Sequence, residues 1–574
     1  MPKKTGTYAD ALSAVGLERL LDFLGAGEAR IRDRGGFYEL SLAEPVVLEM
    51  LEYEAVHDDP GYRYIKLKES SPAPLNHLDY PAGRERLLNF RQLRDSLRKA
   101  TKGRLSEEQE SQLKQAEPDP RWYLYQNANV LQGLRPYNKL HDEITASDPE
   151  TFATALHDKL TALTSANCVS KVRGDFKPKI PAVQVFTPSV GKGVNVAKTA
   201  GVRAAGLPDG FVDWFDEYLK FLGMEYAANA RAVGDDIKLF VMAPGDIRAA
   251  TLESVSERFF RLNLPWSSTQ IDIQGALGLA EGLVEQLSRG DLYEFEKTPR
   301  DYVAGLQTAY FKSLGSARAL ANTGYVGLPD WFHVTEENAN EWLEILDEHR
   351  KILVLLNEDR SEEADLLFLY RDFLSATDTR TLLEFLASYA PHVVRSRERK
   401  RFVRQFTTKN LRRLLVRSGK DSEEIRFKEI VDDPGFRAVA GAIRRATVTE
   451  QYHKSQGNQV FEVEYGLFQD FKRKARFEDQ FIAALSEFVN TYNVQSARRE
   501  EQLKGKGGRR RPRLKVEELD RVVELIDRHD SETVAMLLIA YGSARDPRAP
   551  DEAREPAQAQ DVRIEEPTQE ENVG

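Results

Sequence analysis

Residues 211–244 read FVDWFDEYLKFLGMEYAANARAVGDDIKLFVMAP, and they combine a helix signal with a strand signal. In the first part, apolar residues recur at helical spacing on one face, and we expect this helix to end at Gly223. The residues of that face are Phe211, Trp214, Phe215, Tyr218, Phe221 and Leu222. The run IKLFVMAP stops at Pro244, which is typical of a short buried strand. This succession predicts a domain that mixes α and β structure.

Segments on the N-terminal side extend the mixed pattern. YADALSAVGLERLLDFLG, from Tyr8, has apolar residues at helical spacing and ends at Gly25, a residue that commonly terminates helices. FYELSL, from Phe37, alternates like a half-buried strand, and AVQVF, from Ala182, reads as another strand. We therefore assign residues 1–335 to a mixed α/β region.

From Glu336 onward the pattern changes to successive helices. ANEWLEILDEHRKILVLLNE, from Ala339, and RFEDQFIAALSEFVNTYN, from Arg476, both carry apolar residues at helical spacing. In the second segment the predicted stripe is Phe477, Phe481, Ile482, Leu485, Phe488, Val489 and Tyr492. The last helix, SETVAMLLIAYG, is expected to have Ser531 as its N-cap and Gly542 as its C-terminal stop.

These helices predict a bundle over residues 336–545. Residues 505–515, GKGGRRRPRLK, are rich in glycine and arginine, and we expect them to form a mobile basic loop within it. The fold class is thus α+β, with a mixed α/β N-terminal region followed by a C-terminal helical bundle.

Composition limits the classes of function. The 574-residue chain has a net charge of −10 and a single cysteine, Cys168, so an intramolecular disulfide is excluded. The sequence has neither a long apolar run nor a secretory signal, and we expect a cytoplasmic protein. From Asp546 to the last residue, nine acids face three arginines, which predicts a disordered acidic tail over residues 546–574.

The net charge conceals a basic patch over residues 168–204. Within it, TPSVGKGVNVAKTAGVR places Lys192 between two glycines, as a phosphate-contacting loop would. A Walker A loop is excluded because Gly193, rather than Ser or Thr, follows the lysine. A nucleic-acid contact and a plain surface turn both remain open. The candidate contacts are Lys171, Arg173, Lys177, Lys179, Lys192, Asn195, Lys198 and Arg203.

The helical half carries three further basic segments. Residues 395–417 hold ten cations and one acid, more positive charge than a solvated helix face needs. Nucleic-acid backbone is the favoured partner, whereas an acidic protein surface or simple solvation are the alternatives. The candidate contacts are Arg395, Arg399, Lys400, Arg404, Arg412, Arg413, Arg444, Arg445, Lys472, Arg473 and Lys474.

An enzymatic alternative arises from four His-Asp dipeptides, which a metal-dependent HD phosphohydrolase would use. They are His57-Asp58, His141-Asp142, His157-Asp158 and His529-Asp530. Such a site needs further histidines and aspartates on neighbouring helices, and the spacing does not assemble them. Solvent-exposed histidines are the competing interpretation.

Several stretches together resemble the large subunit of type I CRISPR Cascade complexes. They are QVFTPSVGKGVNVAK, WFDEYLKFLGM, IKLFVMAPGDI, FRAVAGAIRRATVTEQY, EVEYGLFQDFKRKARFEDQFIAALSEFVNTYN and LLIAYGSAR, and they span most of residues 180–545. None is a short diagnostic signature, so the resemblance rests on their order and general character.

The resemblance implies a DNA- and RNA-binding component of an antiviral ribonucleoprotein complex, with no catalytic residues, cofactor or metal. Its partners would be crRNA, the other Cascade subunits, double-stranded target DNA, the displaced single strand of the R-loop and a helicase-nuclease. Such a subunit senses the protospacer-adjacent motif and supports duplex opening, while base pairing reads the target sequence. A metal-dependent HD-type nuclease and a helical scaffold for an acidic protein remain the alternatives, and no membrane is expected to be involved.

Overall fold

A computed structural model describes most of the chain. The described residues are 1–101, 105–164, 176–178, 183, 185–186, 213–262, 264–265, 267–288, 298–315, 317–328, 334–335, 337–375, 379–417, 421–503 and 508–547. They form two compact units, the first built from Met1–Ser268 and Arg300–Leu328, the second from Thr269–Pro299 and from the described residues between 334 and 547. The first unit mixes helices with strands, and the second is helical, so the predicted α+β class is confirmed.

The first unit contains ten helices and nine strands among its described residues. The helices are α1 (Tyr8–Phe23), α2 (Tyr53–Asp58), α3 (Tyr80–Thr101), α4 (Glu107–Ala116), α5 (Trp122–Val130), α6 (Leu134–Thr145), α7 (Pro149–Thr164), α8 (Trp214–Ala227), α9 (Ala249–Arg261) and the short α11 (Pro299–Tyr302), with a short 3-10 turn at Leu48–Met50. The strands are β1 (Ala29–Asp33), β2 (Tyr38–Leu42), β3 (Tyr64–Lys66), β4 (His77–Asp79), β5 (Ala228–Val233), β6 (Asp236–Pro244), β7 (Asp246–Arg248), β8 (Val303–Leu314) and β9 (Ala317–Gly327).

The strands form three sheets. The largest is antiparallel in the order β5-β6-β8-β9, the second is antiparallel in the order β2-β1-β7, and β3 pairs with β4 in parallel. Strand β6 is buried from Ile237 to Pro244, as the apolar run IKLFVMAP predicts. Helices α1 and α8 pack on each other and on this strand, and they form the core of the unit.

The second unit consists of helices. They are α10 (Ser268–Ser288), α12 (Ala339–Leu353), α13 (Ser361–Ser375), α14 (Arg380–Glu398), α15 (Thr408–Arg417), α16 (Asp421–Asp432), α17 (Pro434–Arg444), α18 (Glu450–Ser455), α19 (Leu467–Lys474), α20 (Glu478–Gln502), α21 (Val516–His529) and α22 (Ser531–Ser543), and α10 begins one residue before the boundary with the first unit. A π-helical turn, Arg445–Thr449, joins α17 to α18. Helix α22 is buried on all sides except at Glu532 and Thr533, and α14, α17 and α21 pack around it.

Three predicted helix ends are wrong. Helix α8 continues through Gly223 to Ala227, because Gly223 serves as a close-packing site against α1 rather than as a stop. Helix α22 is capped by the side chain of Asp530, which accepts a hydrogen bond from the Thr533 amide, while Ser531 is its first residue. Gly542 lies inside this helix, where a side chain would overlap Ile443.

Three further predictions need correction. Val185 and Phe186 form a turn rather than a strand, and Phe186 is buried. On α20 the predicted stripe is buried except at Phe477, which is 58% exposed, and at the half-buried Ile482. The described part of the predicted mobile loop, residues 508–515, is anchored, because Arg511 is buried between two aromatic rings.

Candidate nucleic-acid interface

Most of the basic patch predicted over residues 168–204 lies outside the described residues. The candidate contacts outside the described residues are Lys171, Arg173, Lys179, Lys192, Asn195, Lys198 and Arg203. Cys168 and residues 548–574 of the predicted acidic tail also lie outside the described residues. Lys177 is described and exposed. Its neighbour Phe176 is buried against Phe152 and Trp214, at 5.1 and 4.9 Å between ring centroids, which fixes this piece of chain on the first unit.

The C-terminal end of α14 begins a cluster of cations in the second unit. The amides of Arg399, Lys400 and Arg401 donate to carbonyl groups of the last helical turn, which closes the helix end. Lys400 has a φ of 56°, a left-handed conformation that costs a non-glycine residue roughly 1–2 kcal/mol. This turn directs the chain away from the helix. We call residues 399–405 the basic loop.

Hydrogen bonds hold the basic loop in place. The Tyr389 hydroxyl donates to the Arg404 carbonyl at 2.7 Å, and the Gln405 side chain donates to the Ser543 carbonyl at 2.6 Å. The amide of Arg545 donates to the Phe406 carbonyl at 2.9 Å. The basic loop is therefore fixed on α14 and on the C-terminal end of α22.

The basic loop forms one wall of a groove of about 1030 Å³. The opposite walls come from α12, from α18 and from the chain after α22. Six cationic side chains line this groove. They are Lys351, Arg397, Lys400, Arg401, Arg404 and Arg545.

Two exposed aromatic rings also line the groove. Phe402 is 47% exposed and Tyr452 is 49% exposed, so each leaves ring surface open to solvent. The Arg404 guanidinium lies 5.6 Å from the centroid of the Phe402 ring, and that of Arg397 lies 5.5 Å from the Tyr452 ring. Cations suit phosphate groups, and exposed rings suit unpaired bases, so this pairing of residue types fits a nucleic acid.

The π-helical turn contributes to the floor of the groove. Its wider winding frees the Val448 carbonyl, which accepts a hydrogen bond from the Arg397 guanidinium at 2.6 Å. Burial lowers the pKa of Arg397 to about 10, so the guanidinium still carries its charge at neutral pH. Arg397 therefore supplies a fixed positive charge to the groove.

The candidate cations of the helical unit fall into three groups. Arg399, Lys400 and Arg404 are exposed and have no ion pair among the described residues. Five others are engaged by carboxylates: Arg395 by Glu362, Arg412 by Asp432, Arg413 by Glu341 and Glu344, and Arg473 and Lys474 by Asp470. The last three make other contacts: Arg444 donates to the Tyr541 carbonyl and is ion-paired with Asp546, Arg445 donates to the Tyr492 hydroxyl, and the exposed Lys472 donates to the Ser388 hydroxyl.

The histidines of the four His-Asp dipeptides make different contacts. His57 bonds to the Ser147 carbonyl at 2.9 Å, His141 packs on Tyr62 and Tyr64, and burial lowers its pKa. His157 packs edge-on against Tyr53, and His529 lies 3.1 Å from Glu429. Within the described ranges, no group of three or more His, Cys, Asp or Glu side chains is arranged to hold a metal ion.

Sequence reasoning missed several residues of the groove. Arg401 and Phe402 lie within the ten-cation segment, so their local charge and apolar character were a usable signal. Tyr452 and Arg545 come from distant parts of the chain. Arg545 reaches the groove through an isolated parallel bridge with Thr407, a long-range pairing that no local pattern indicates.

No protein-family model and no curated protein matches this chain. Separately, no helix within the described ranges is long and apolar enough to cross a membrane.

Proposed function

We propose that this protein is the non-catalytic large subunit of a crRNA-guided DNA surveillance complex in the cytoplasm. In this role it senses the protospacer-adjacent motif, supports duplex opening and recruits a helicase-nuclease. Its second unit binds nucleic-acid backbone through the basic loop. The sequence resemblance suggests the complex, and the groove supplies a physical reason for nucleic-acid binding.

The observation that carries the proposal is the unpaired positive charge of the basic loop. Arg399, Lys400 and Arg404 stand exposed without acidic partners among the described residues, next to the exposed ring of Phe402. Other exposed arginines of this unit, such as Arg380 and Arg476, are balanced by Glu532. Unbalanced charge beside an aromatic ring supports binding of a phosphate backbone and a base.

The test is binding of the full-length protein to single-stranded and duplex DNA by fluorescence anisotropy over a salt series. The variant is Lys400→Ala/Arg404→Ala, and the matched control is Arg380→Ala/Arg476→Ala, which also removes two exposed cations. Because each phosphate contact contributes about −0.7 to the salt slope for single strands, losing two contacts should flatten it by roughly 1.4. The control variant should keep the slope of the wild type.

A second measurement tests membership of the complex. The tagged protein is purified from its native host, and co-purifying RNA is sequenced. A guide RNA with a repeat-derived end supports the proposal. Binding to neither DNA nor RNA in any assembly would favour the scaffold for an acidic protein, and divalent-metal-dependent cleavage that His57→Ala abolishes would favour the nuclease.

A further inference from the structure

The groove of the second unit lies directly beside the point where the chain leaves the described residues. Thr408 donates its amide to the Arg545 carbonyl at 2.9 Å, and Arg545 and Asp546 both line the groove. Asp546 is also ion-paired with Arg444. Arg545 and Asp546 are therefore held at the rim of the groove, and the rest of the chain continues from that point.

The residues that follow are strongly acidic. Between positions 551 and 574 there are eight Asp and Glu and only two Arg. Asp551 lies five positions after Asp546 in the chain, an extended reach of at most about 17 Å. The first carboxylates of this segment are thus within reach of the groove, and the segment is long enough to cross it.

The unpaired positive charge of the groove complements the negative charge of this segment. The acidic side chains of the groove are already occupied: Glu344 by Lys409 and Arg413, Asp347 by Lys351, and Glu348 by the Thr407 amide. By contrast, Lys400 and Arg404 are exposed and have no acidic partner among the described residues. A chain of carboxylates can occupy positions that phosphates would take, since both are anions that arginine and lysine bind.

We infer that the acidic segment of residues 551–574 docks in this groove and competes with nucleic acid for the cations of the basic loop. Only the competition rests on the proposed function, whereas the docking does not. A tethered segment has an effective concentration of about 1 mM, so one with a dissociation constant near 0.1 mM would weaken nucleic-acid binding roughly tenfold. The docked segment therefore raises the affinity that a nucleic acid needs in order to bind, and weakly binding nucleic acid is excluded first.

Docking is tested without DNA. A full-length chain is made with all eight carboxylates of residues 551–574 changed to amides, which leaves its groove open. A labelled peptide of the natural sequence 551–574 should bind this chain at low salt, and a peptide carrying the amides should not. Adding Lys400→Ala/Arg404→Ala should abolish peptide binding, whereas adding Arg380→Ala/Arg476→Ala should preserve it. Absence of peptide binding, or binding that survives Lys400→Ala/Arg404→Ala, overturns the docking.

Competition is tested with DNA. The chain with the amides should bind single-stranded DNA roughly tenfold more tightly than the wild type at low salt, and the difference should shrink as salt rises. Equal affinities in the presence of peptide docking would overturn the competition. If neither chain binds nucleic acid, the proposed function fails, and the peptide measurement still decides the docking.

Discussion

Gly16 of α1 and Gly223 of α8 mark a contact in which two helix backbones touch directly. A methyl group at Gly16 would overlap the Leu219 carbonyl, and one at Gly223 would overlap the Leu12 carbonyl. The position that a methyl group would take at Gly223 also lies only 3.0 Å from the Gly16 amide nitrogen. The close packing of α1 on α8 thus requires glycine at both positions, because each glycine lies against the backbone of the other helix.

Substitution Gly223→Ala should therefore destabilise the first unit. The added methyl meets a backbone carbonyl, which cannot rotate away, so the helices must separate at a cost of about 2 kcal/mol or more. Alanine favours the helix by about 1 kcal/mol and offsets part of this cost. Urea unfolding measures the difference. The control is Gly36→Ala, where a methyl group meets no atom within 4 Å, and it should leave the stability unchanged.

Arg511 supports the packing of the second unit. Its guanidinium lies 3.9 Å from the Phe461 ring centroid and 4.2 Å from that of Tyr492, and it donates to Ser496 at 2.9 Å. Arg511→Ala should cost roughly 2–4 kcal/mol through lost ring contacts and hydrogen bonds. Hydrogen exchange of residues 508–515 should accelerate together with the loss of stability. The neighbouring Arg510 is exposed, so equal effects from Arg510→Ala would contradict this assignment.

Glu18 makes the stability of the first unit depend on pH. The side chain is fully buried beside Arg19, and burial raises the pKa of Glu18 from 4.5 to about 7. The folded protein keeps the proton where the unfolded chain releases it. The contribution of Glu18 to the free energy of unfolding should therefore be largest below pH 4.5 and should decrease as the pH rises from 4.5 to 7.

The substitution Glu18→Gln tests this dependence. It should stabilise the protein above pH 7 by up to about 3 kcal/mol and remove the fall in stability between pH 4.5 and 7. Denaturant unfolding at pH 5 and pH 8 measures both effects. The control is Glu257→Gln on the exposed side of α9. If the free energy of unfolding of the wild type rose between pH 4.5 and 7, and Glu18→Gln removed that rise, the assignment would be contradicted.

The sequence allowed the elements to be predicted where the signal is local. Strand β6 and the buried stripe of α20 follow from the spacing of apolar residues alone. The prediction that Gly223 ends α8 is wrong because a glycine can either end a helix or permit close packing, and only the position of α1 decides between them. The prediction that Ser531 caps α22 is wrong because the adjacent Asp530 adopts a φ of 96° and takes that role.

The candidate site was predicted less completely. The density of cations in residues 395–417 predicts a basic surface in the segment that contains the basic loop, but charge does not show which side chains have partners. Arg412 and Arg413 lie in that segment and are bound by acids from α16 and α12, whereas Lys400 and Arg404 are left open. That distinction depends on contacts between distant helices, as does the arrival of Arg545 at the groove.

Tyr389 positions the basic loop without facing a ligand itself. Its hydroxyl donates to the Arg404 carbonyl at 2.7 Å, and its ring is buried. Tyr389→Phe removes one hydrogen bond worth about 1 kcal/mol and leaves that carbonyl unpaired, so DNA affinity should fall roughly fivefold through loss of preorganisation. The number of phosphate contacts is unchanged, and the salt slope should therefore match that of the wild type. This separates a positioning residue from Lys400 and Arg404, whose removal flattens the slope. The control is Tyr53→Phe in the first unit, where the Tyr53 hydroxyl also donates to a backbone carbonyl, that of Leu48 at 2.9 Å, and it should leave both quantities unchanged.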